Sequence, residues 1–559
     1  MSIRPDYLTF DDFIQKKLFI IPNYQRAYSW GNKQRKDLFL DLEKLHKSSD
    51  QEKHHFMATI VCSKIGKETS VVDEFGVFHL VDGQQRLTTL IILLKAVQKL
   101  FANGTDKEQK VATDLQSLLI KEDNRLVLLQ TNHDNSPFFR SYLEKGIIPD
   151  NDQVKTTSTQ HMVEALKECE TFVNQWAAEK NGGLSLLQLI KNRLGFIFYL
   201  LDDEGSAYTV FEVLNSRGLE VDWLDKCKTM LMGIAFEKAA NKSARDEQID
   251  ELHKLWSEIY RTIGITKIQG HEILRFAATL EEEFEPNRIM SAEKAIEFFR
   301  EDCQTDSRKI VNVTHCFLEI AETLKQLYEN PRLEAVTGIS HTRLLAVAIL
   351  MKTSLNKEER ERIFKKWENV TFRIYGLFRK DSRSKVGEYT RLAWQMAQKN
   401  NLPANTLIKK TALLGKDYPI VEAVEELRET DCDKEWETEL RYFFYRYEEH
   451  LSQEQGSAVS DDIWQQIWKV SATNTIERIQ LQSSKRQAEQ IHRLGNLIIL
   501  PAKATAKTAK KTFQQKREIY QENSQLKLMG EILDKRRWTI KEIEERENRL
   551  LDWARYEWR

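Results

Sequence analysis

Glycine and proline are scarce: 21 and nine residues in a chain of 559. Both residues punctuate turns and sheet edges, so their scarcity argues for a helix-rich architecture. The six cysteines (Cys62, Cys169, Cys227, Cys303, Cys316 and Cys432) are scattered, and no two stand at a metal-ligand spacing. That excludes a disulfide scaffold and a CxxC zinc site and suits reduced, mostly buried thiols. The stretch MSIRPDYLTFDDF lacks the basic-then-apolar pattern of a signal peptide. The longest apolar run of the N-terminal third, Leu90–Leu94, falls far short of the roughly 20 residues a membrane span needs. The expectation is a soluble, cytoplasmic protein with no membrane association. There is also no excess of one charge: 84 Lys+Arg stand against 85 Asp+Glu, a net charge of −1. That sum argues against a uniformly basic nucleic-acid protein but hides how charge is distributed.

What is present is ample apolar matter. Hydrophobic residues make up 41% of the chain and it holds 12 tryptophans, enough for a packed core and against wholesale disorder. The length predicts roughly three to four domain-sized units. Leu18–Ile21 is a short apolar run stopped by Pro22, and Phe56–Cys62 and Val77–Val81 read as strands. After Asp82-Gly83 the pattern changes from period 2 to a helical run, Leu87–Phe101. Residues 100–190 read as helices, Leu194–Leu201 as a strand, and 222–400 as nearly continuous amphipathic helix. The segment Asn401–Pro419 holds two of the nine prolines and marks the best boundary before a final unit.

The charge is segregated in that final unit. Val421–His450 carries 11 acidic and four basic residues, whereas Arg478–Arg517 carries ten cations and one acid, Glu489. The second stretch is either an electrostatic footprint for a phosphate backbone or a solvated lysine-rich face.

Three segments carry chemistry. In Val81-Asp82-Gly83-Gln84-Gln85-Arg86-Leu87-Thr88-Thr89, a strand gives way to a helix. Gly83 permits a tight turn, and the first helical turn offers N–H groups to an anion. Asp82 is placed to cap the helix or to hold a metal ion. Arg86 offers a fork for phosphate, and Gln84 and Gln85 can read a base or ribose edge. The alternative is a capped turn with a surface Arg. In Ile21-Pro22-Asn23-Tyr24-Gln25-Arg26-Ala27-Tyr28-Ser29-Trp30, Gln25 and Arg26 lie among aromatics that suit either base stacking or the core. In Phe211–Leu219 (FEVLNSRGL), Gly218 suits a helix C-terminus, which leaves Asn215 and Arg217 unexplained.

Taken in order, these three motifs resemble the N-terminal domain of the GmrSD-type modification-dependent restriction proteins, over roughly residues 8–235. The resemblance implies a ParB/sulfiredoxin-like α/β domain that hydrolyses an NTP, with Mg2+ as a compatible cofactor, and couples this to DNA recognition. Asp82, Gly83, Gln84, Gln85, Arg86 and Thr88 would form the nucleotide site, with Asp82, Gln85 and Arg86 catalytic. Tyr24, Gln25, Arg26, Asn215 and Arg217 would complete it.

The C-terminal unit resembles the family's second domain, an HNH-type (His-Me finger) nuclease, through Thr475-Ile476-Glu477, Ile491–Leu497 (IHRLGNL) and Phe513-x-x-Lys516. HNH chemistry needs a His base, an Asn that fixes the ββα loop, and a divalent ion. The family reads Glu-His-Ile where this chain has Glu477-Arg478-Ile479, and an arginine stays protonated at neutral pH. The interval Pro501–Thr512 also lacks the later Asn. Glu477, Arg478, His492 and Asn496 therefore read as a degenerate nuclease site. Arg478, Lys485, Arg486, Arg493, Asn496, Lys507, Lys510, Lys511, Lys516 and Arg517 read as DNA contacts.

The expected architecture is α+β and predominantly helical: a nucleotide-binding domain (1–235), a helical region (236–415) and a degenerate ββα-metal-type DNA-binding domain (416–559). The expected function is antiphage defence, with NTP turnover coupled to binding of modified or phage-derived double-stranded DNA. A nuclease or other defence partner and a homo-oligomer are compatible with it. An active endonuclease with an atypical site and a non-enzymatic nucleotide-switched regulator are the alternatives.

Overall fold

Among the described residues, eight strands lie in the N-terminal part of the chain: β1 (Pro5–Thr9), β2 (Lys17–Ile21), β3 (His55–Thr69), β4 (Glu74–Asp82), β5 (Ile120–Lys121), β6 (Leu126–Val127), β7 (Leu129–Thr131) and β8 (Leu194–Leu201). Six of them form one mixed sheet in the order β1-β8-β3-β4-β2-β7. The long β3 runs antiparallel to β4 and parallel to β8, and β2 is parallel to both β4 and β7. This computed structural model describes residues 5–22, 25, 27–48, 55–69, 73–121, 126–131, 135–179, 182–201, 222–238, 242–264, 266–398, 402–456, 458–480 and 491–559.

The period-2 pattern explains the sheet's covered face. Phe19, Ile60, Cys62, Phe78, Leu80, Phe196 and Phe198 join one core with the helices Phe10–Ile14, Gln84–Ala102, Thr157–Glu179 and Gly183–Arg193. Each such side chain, taken fully out of water, contributes about 1.5–3 kcal/mol before entropy is counted. The helix Gln84–Ala102 is apolar on nearly every side and is buried accordingly.

Its start is set by one residue. Gly83 has φ +91° and separates β4 from the helix. A Cβ there would come within 2.9 Å of Ile60 Cγ1, so both the left-handed backbone and the close approach require glycine.

The described residues are mostly helical, and they divide into two units: Met1–Leu274 with Ser291–Ala321, and Arg275–Met290 with Glu322–Arg559. The helices of 236–415 are shared between both. Asn401–Pro419 falls inside the second unit and carries a helix of its own, Ala404–Leu413. Among the described residues no helix is long and apolar enough to cross a membrane.

The second unit is organised around aromatic side chains. Phe372 meets Tyr442 at 4.5 Å and Trp558 at 4.9 Å, and Trp553 meets Trp558 at 5.0 Å between ring centroids. Phe372–Leu377 is a π-helical turn, and its loosened carbonyl at Gly376 accepts from Trp436 Nε1 at 2.7 Å. Further along, β9 (Ile476–Arg478) and β10 (Leu497–Ile499) form an antiparallel hairpin, and the helix Ala502–Thr508 follows. Gly495 precedes β10 because an added Cβ would strike the Ile543 carbonyl of the terminal helix Ile540–Glu557.

Candidate functional site

The first two motifs meet in space. Gln25 is fully buried and donates from Nε2 to the Val81 carbonyl at 2.9 Å. Gln85 grips the same segment at two points. Its Oε1 accepts the Ser29 backbone N–H at 2.8 Å, and its Nε2 donates to the Ala27 carbonyl at 3.2 Å. Tyr28 shares a 2.9 Å hydroxyl contact with Thr89, and burial pushes its phenol well above the usual range. Trp30 is buried as well, and its carbonyl accepts from the buried Arg35, whose Nε reaches Glu168 at 2.7 Å. Tyr28 and Trp30 are therefore core anchors, one of the two roles their sequence left open.

The remaining turn residues are less committed. Asp82 and Arg86 are half-buried, and Arg86 has no hydrogen bond or ion pair among the described residues. No acidic side chain occupies the first helical turn and none caps it, which leaves that end favourable for an anion. The buried Thr88 hydroxyl donates to the Gln84 carbonyl at 2.7 Å within its own helix. Gln84 Oε1 and Gln25 Oε1 are buried acceptors with no donor among the described residues. Tyr24, Arg26, Asn215 and Arg217 lie outside the described residues.

Beside this clamp is a cavity of about 510 Å3 within the first unit. Ala27, Tyr28 and Ser29 form one wall, the segment that Gln85 and Thr89 hold. The helices Trp223–Lys238 and Lys242–Ile263 bring five titratable groups to it: Asp225, Lys228, His253, Lys254 and Tyr260. Asp222 also lines the cavity, and its Oδ1 accepts the Leu224 N–H at 2.8 Å, starting the first of these helices. Burial, and then the neighbouring Asp225, raise the Asp222 carboxyl.

Lys228 is buried, and desolvation lowers its ammonium to about 8 against the pull of Asp225. His253 is lowered to about 4 by burial and then by Lys228, so it is neutral at physiological pH. The Tyr260 hydroxyl donates to Asp225, and burial together with that carboxylate keeps the phenol protonated. Asn135 Oδ1 is a buried cavity-lining acceptor with no donor among the described residues. Lys228 stands three residues after Asp225, a spacing that puts both on one helix face. Among the residues at this cavity, it is the one that sequence reading passed over with such a signal.

The hairpin region of the second unit shows a different economy of charge. Asn496 is fully buried: its Oδ1 accepts the Gln480 N–H at 2.9 Å, and its Nδ2 donates to the Gln480 and Ile491 carbonyls at 3.0 and 2.9 Å. It therefore ties together the two described ends of the loop between β9 and β10. Lys516 is equally buried, bonded to the Glu477 carboxylate and to the Arg478 carbonyl. Both side chains are buried and bonded within the hairpin region, so they are not available as surface contacts, which corrects their place among the expected DNA contacts.

Arg493 is engaged by Glu547, and Arg517 donates to the Lys535 and Leu533 carbonyls. Arg478 pairs with Asp433, whose other oxygen is 2.7 Å from His492 Nδ1. One acid of the preceding acidic stretch thus neutralises the arginine found where a catalytic histidine was expected.

The exposed cations are fewer than the sequence suggested. Lys507 and Lys510 are exposed and Lys511 half-exposed, while Lys485 and Arg486 lie outside the described residues. To these the fold adds exposed Arg536 and Arg537. Phe513 packs on Trp538 at 5.7 Å and Gln514 donates to the Arg536 carbonyl, which brings that loop beside Lys510 and Lys511, just ahead of the helix Phe513–Glu522.

The family model described as "GmrSD restriction endonuclease, N-terminal domain" matches residues 10–232, and that described as "GmrSD restriction endonucleases, C-terminal domain" matches residues 420–553. The chain belongs to the GmrSD restriction endonuclease family. The two matches support a restriction or antiphage defence role. No curated protein matches the chain. In this GmrSD-type chain the clamped 27–29 segment and its cavity fall within or beside the first matched region, and the β9–β10 hairpin falls within the second.

Proposed function

We propose that the first unit binds and hydrolyses a nucleoside triphosphate. Turnover is coupled to recognition of modified or phage-derived double-stranded DNA by the hairpin region, which has lost cleavage. The observation that carries the nucleotide reading is the Gln85 clamp, because it links the DGQQR turn to the wall of a cavity large enough for a nucleotide. The donor set fits such a ligand. Asn135 Oδ1 is an orphaned acceptor suited to a base amino or ribose hydroxyl group, Lys228 is a cavity cation suited to a phosphate, and Arg86 is a second cation on the DGQQR turn outside the cavity lining.

A Mg2+ ion that arrives with the phosphates needs only one or two carboxylates, and Asp82 supplies one at the turn. When bound, it would neutralise charge on the transferred phosphoryl group. Among the described residues no three His, Cys, Asp or Glu side chains converge as a ready-made metal site, in either unit.

The DNA-binding surface is carried by Lys507, Lys510, Lys511, Arg536 and Arg537. Loss of cleavage rests on Arg478, which is a cation paired with Asp433 and cannot accept a proton from water. A nuclease or other defence partner would then supply any cutting. One contact favours a second reading, an active nuclease with an atypical base: Asp433 orients His492 as a carboxylate orients a general base. NTP hydrolysis by the wild type and by Arg86→Ala tests the first reading, and plasmid cleavage with and without His492 tests the second.

A further inference from the structure

The second unit contains a cavity of about 460 Å3 that neither matched domain region contains as a whole. It lies between the helix Lys357–Thr371 and the helix Glu437–Glu454, with Arg332 at its edge. Five cations line it: Arg332, Lys357, Arg360, Lys365 and Arg446. Three carboxylates share the lining, and two of them are spent internally. Glu368 accepts from Tyr442 at 2.7 Å and faces Arg446 at 3.3 Å. Glu449 accepts from Tyr445 and lies 3.5 Å from Arg446 and 3.6 Å from Arg332. Arg332 Nη1 also donates to the Tyr445 hydroxyl at 3.2 Å, so that Arg332 has its Nε to offer. Glu361 is exposed and, among the described residues, pairs with Lys357 alone, at 4.0 Å.

Two cations remain uncompensated. Arg360 donates to the Lys352 and Leu355 carbonyls, both at 3.2 Å, and has no carboxylate partner among the described residues. Lys365 is exposed and has no ion pair among them. The Nε atoms of Arg332 and Arg360 are buried donors with no acceptor among the described residues. Unmet buried donors are costly, so they mark a place where an acceptor belongs. Arg446 is almost wholly buried, and the carboxylates and phenol around it keep its charge fixed. Phe364 adds an aromatic face to the same wall.

We propose that this cavity is a second phosphate-binding site, distinct from the nucleotide site of the first unit. It takes the phosphate group of a nucleotide, either free or within a nucleic-acid strand. Arg332 and Arg360 bond the phosphate oxygens through their free Nε donors, Lys365 adds a nearby unit charge, and Phe364 offers a stacking surface for the attached base.

The test uses the full chain at low salt, with ATP and GTP in one arm and a short fluorescein-labelled duplex in the other. Lys365→Gln removes one charge from an exposed position, and Glu361→Gln removes an opposing one. Lys365→Gln should weaken binding by about fivefold, the effect of one unit charge near 4 Å in water. Glu361→Gln should tighten it in the same arm. Opposite shifts in the mononucleotide arm identify a free nucleotide as the source of the phosphate, and in the duplex arm a nucleic-acid strand. No shift in either arm overturns the proposal, and so do two shifts of the same sign, which general destabilisation would produce.

Discussion

Gln85 Oε1 lies 2.8 Å from the backbone nitrogen of Ser29, and its Nε2 donates to the carbonyl of Ala27 two residues earlier. A side chain in the first turn of one helix thus replaces the strand partner that residues 27–29 lack. Gln85→Ala would leave a backbone N–H and a carbonyl unmet in a part-buried site, at a cost of about 1–3 kcal/mol. Urea unfolding should show that loss, and nucleotide affinity should fall with it as the cavity wall loosens. Unchanged stability would mean that water replaces both bonds without cost.

If the proposed nucleotide site is in use, the cavity lysine should give its binding a pH dependence. Lys228 is held at about 8 by burial, and a lysine is cationic below its pKa. Nucleotide affinity should therefore be full near pH 7 and decline as pH rises through about 8. Lys228→Met should bind weakly at both pH values and show no such decline. His253, lowered to about 4, contributes no charge change in this window. Calorimetric titration of wild type and variant from about pH 7 to 9.5 checks this, and a profile that survives in Lys228→Met would assign the titration to another group.

In the hairpin region, stability and DNA affinity should separate by residue. Asn496→Ala removes three hydrogen bonds from a buried site and should lower the melting temperature, because it frees both ends of the loop. Lys510→Ala and Arg536→Ala should leave the melting temperature unchanged and weaken duplex binding. Each should also reduce the slope of log affinity against log salt by about 0.9 for every phosphate that the variant no longer neutralises. An unchanged slope in both would remove this surface from the interface.

Cleavage is the next test. With Mg2+ or Mn2+, the protein alone should leave modified and unmodified plasmid intact, because the residue at the base position is Arg478, paired with Asp433. Robust cleavage abolished by His492→Ala would instead establish the His492–Asp433 pair as the working base.

Much of this was legible in the sequence. The change of period at Asp82-Gly83 located the strand-to-helix turn, and the order of three motifs gave the family. The short edge strand β7 escaped notice, because three residues carry no readable period. The cavity was not legible: Asp225 stands beyond the third motif, which ends at Leu219, and His253 and Tyr260 come from a helix whose pattern reads as plain amphipathic surface. Charge counting overstated the exposed basic surface for a physical reason. A sum over Arg478–Arg517 cannot show that Lys516 is paired with Glu477 and Arg493 with Glu547, and it stops short of Arg536 and Arg537.

Nucleotide turnover in the first unit is decided by hydrolysis of each of the four NTPs by wild type and Arg86→Ala. Turnover of at least one NTP by the wild type, reduced about tenfold or more in Arg86→Ala while the melting temperature holds, is the predicted result, given the weight of a charge-assisted phosphate contact. Absence of turnover with every NTP, or equal turnover in the two proteins, would contradict the account.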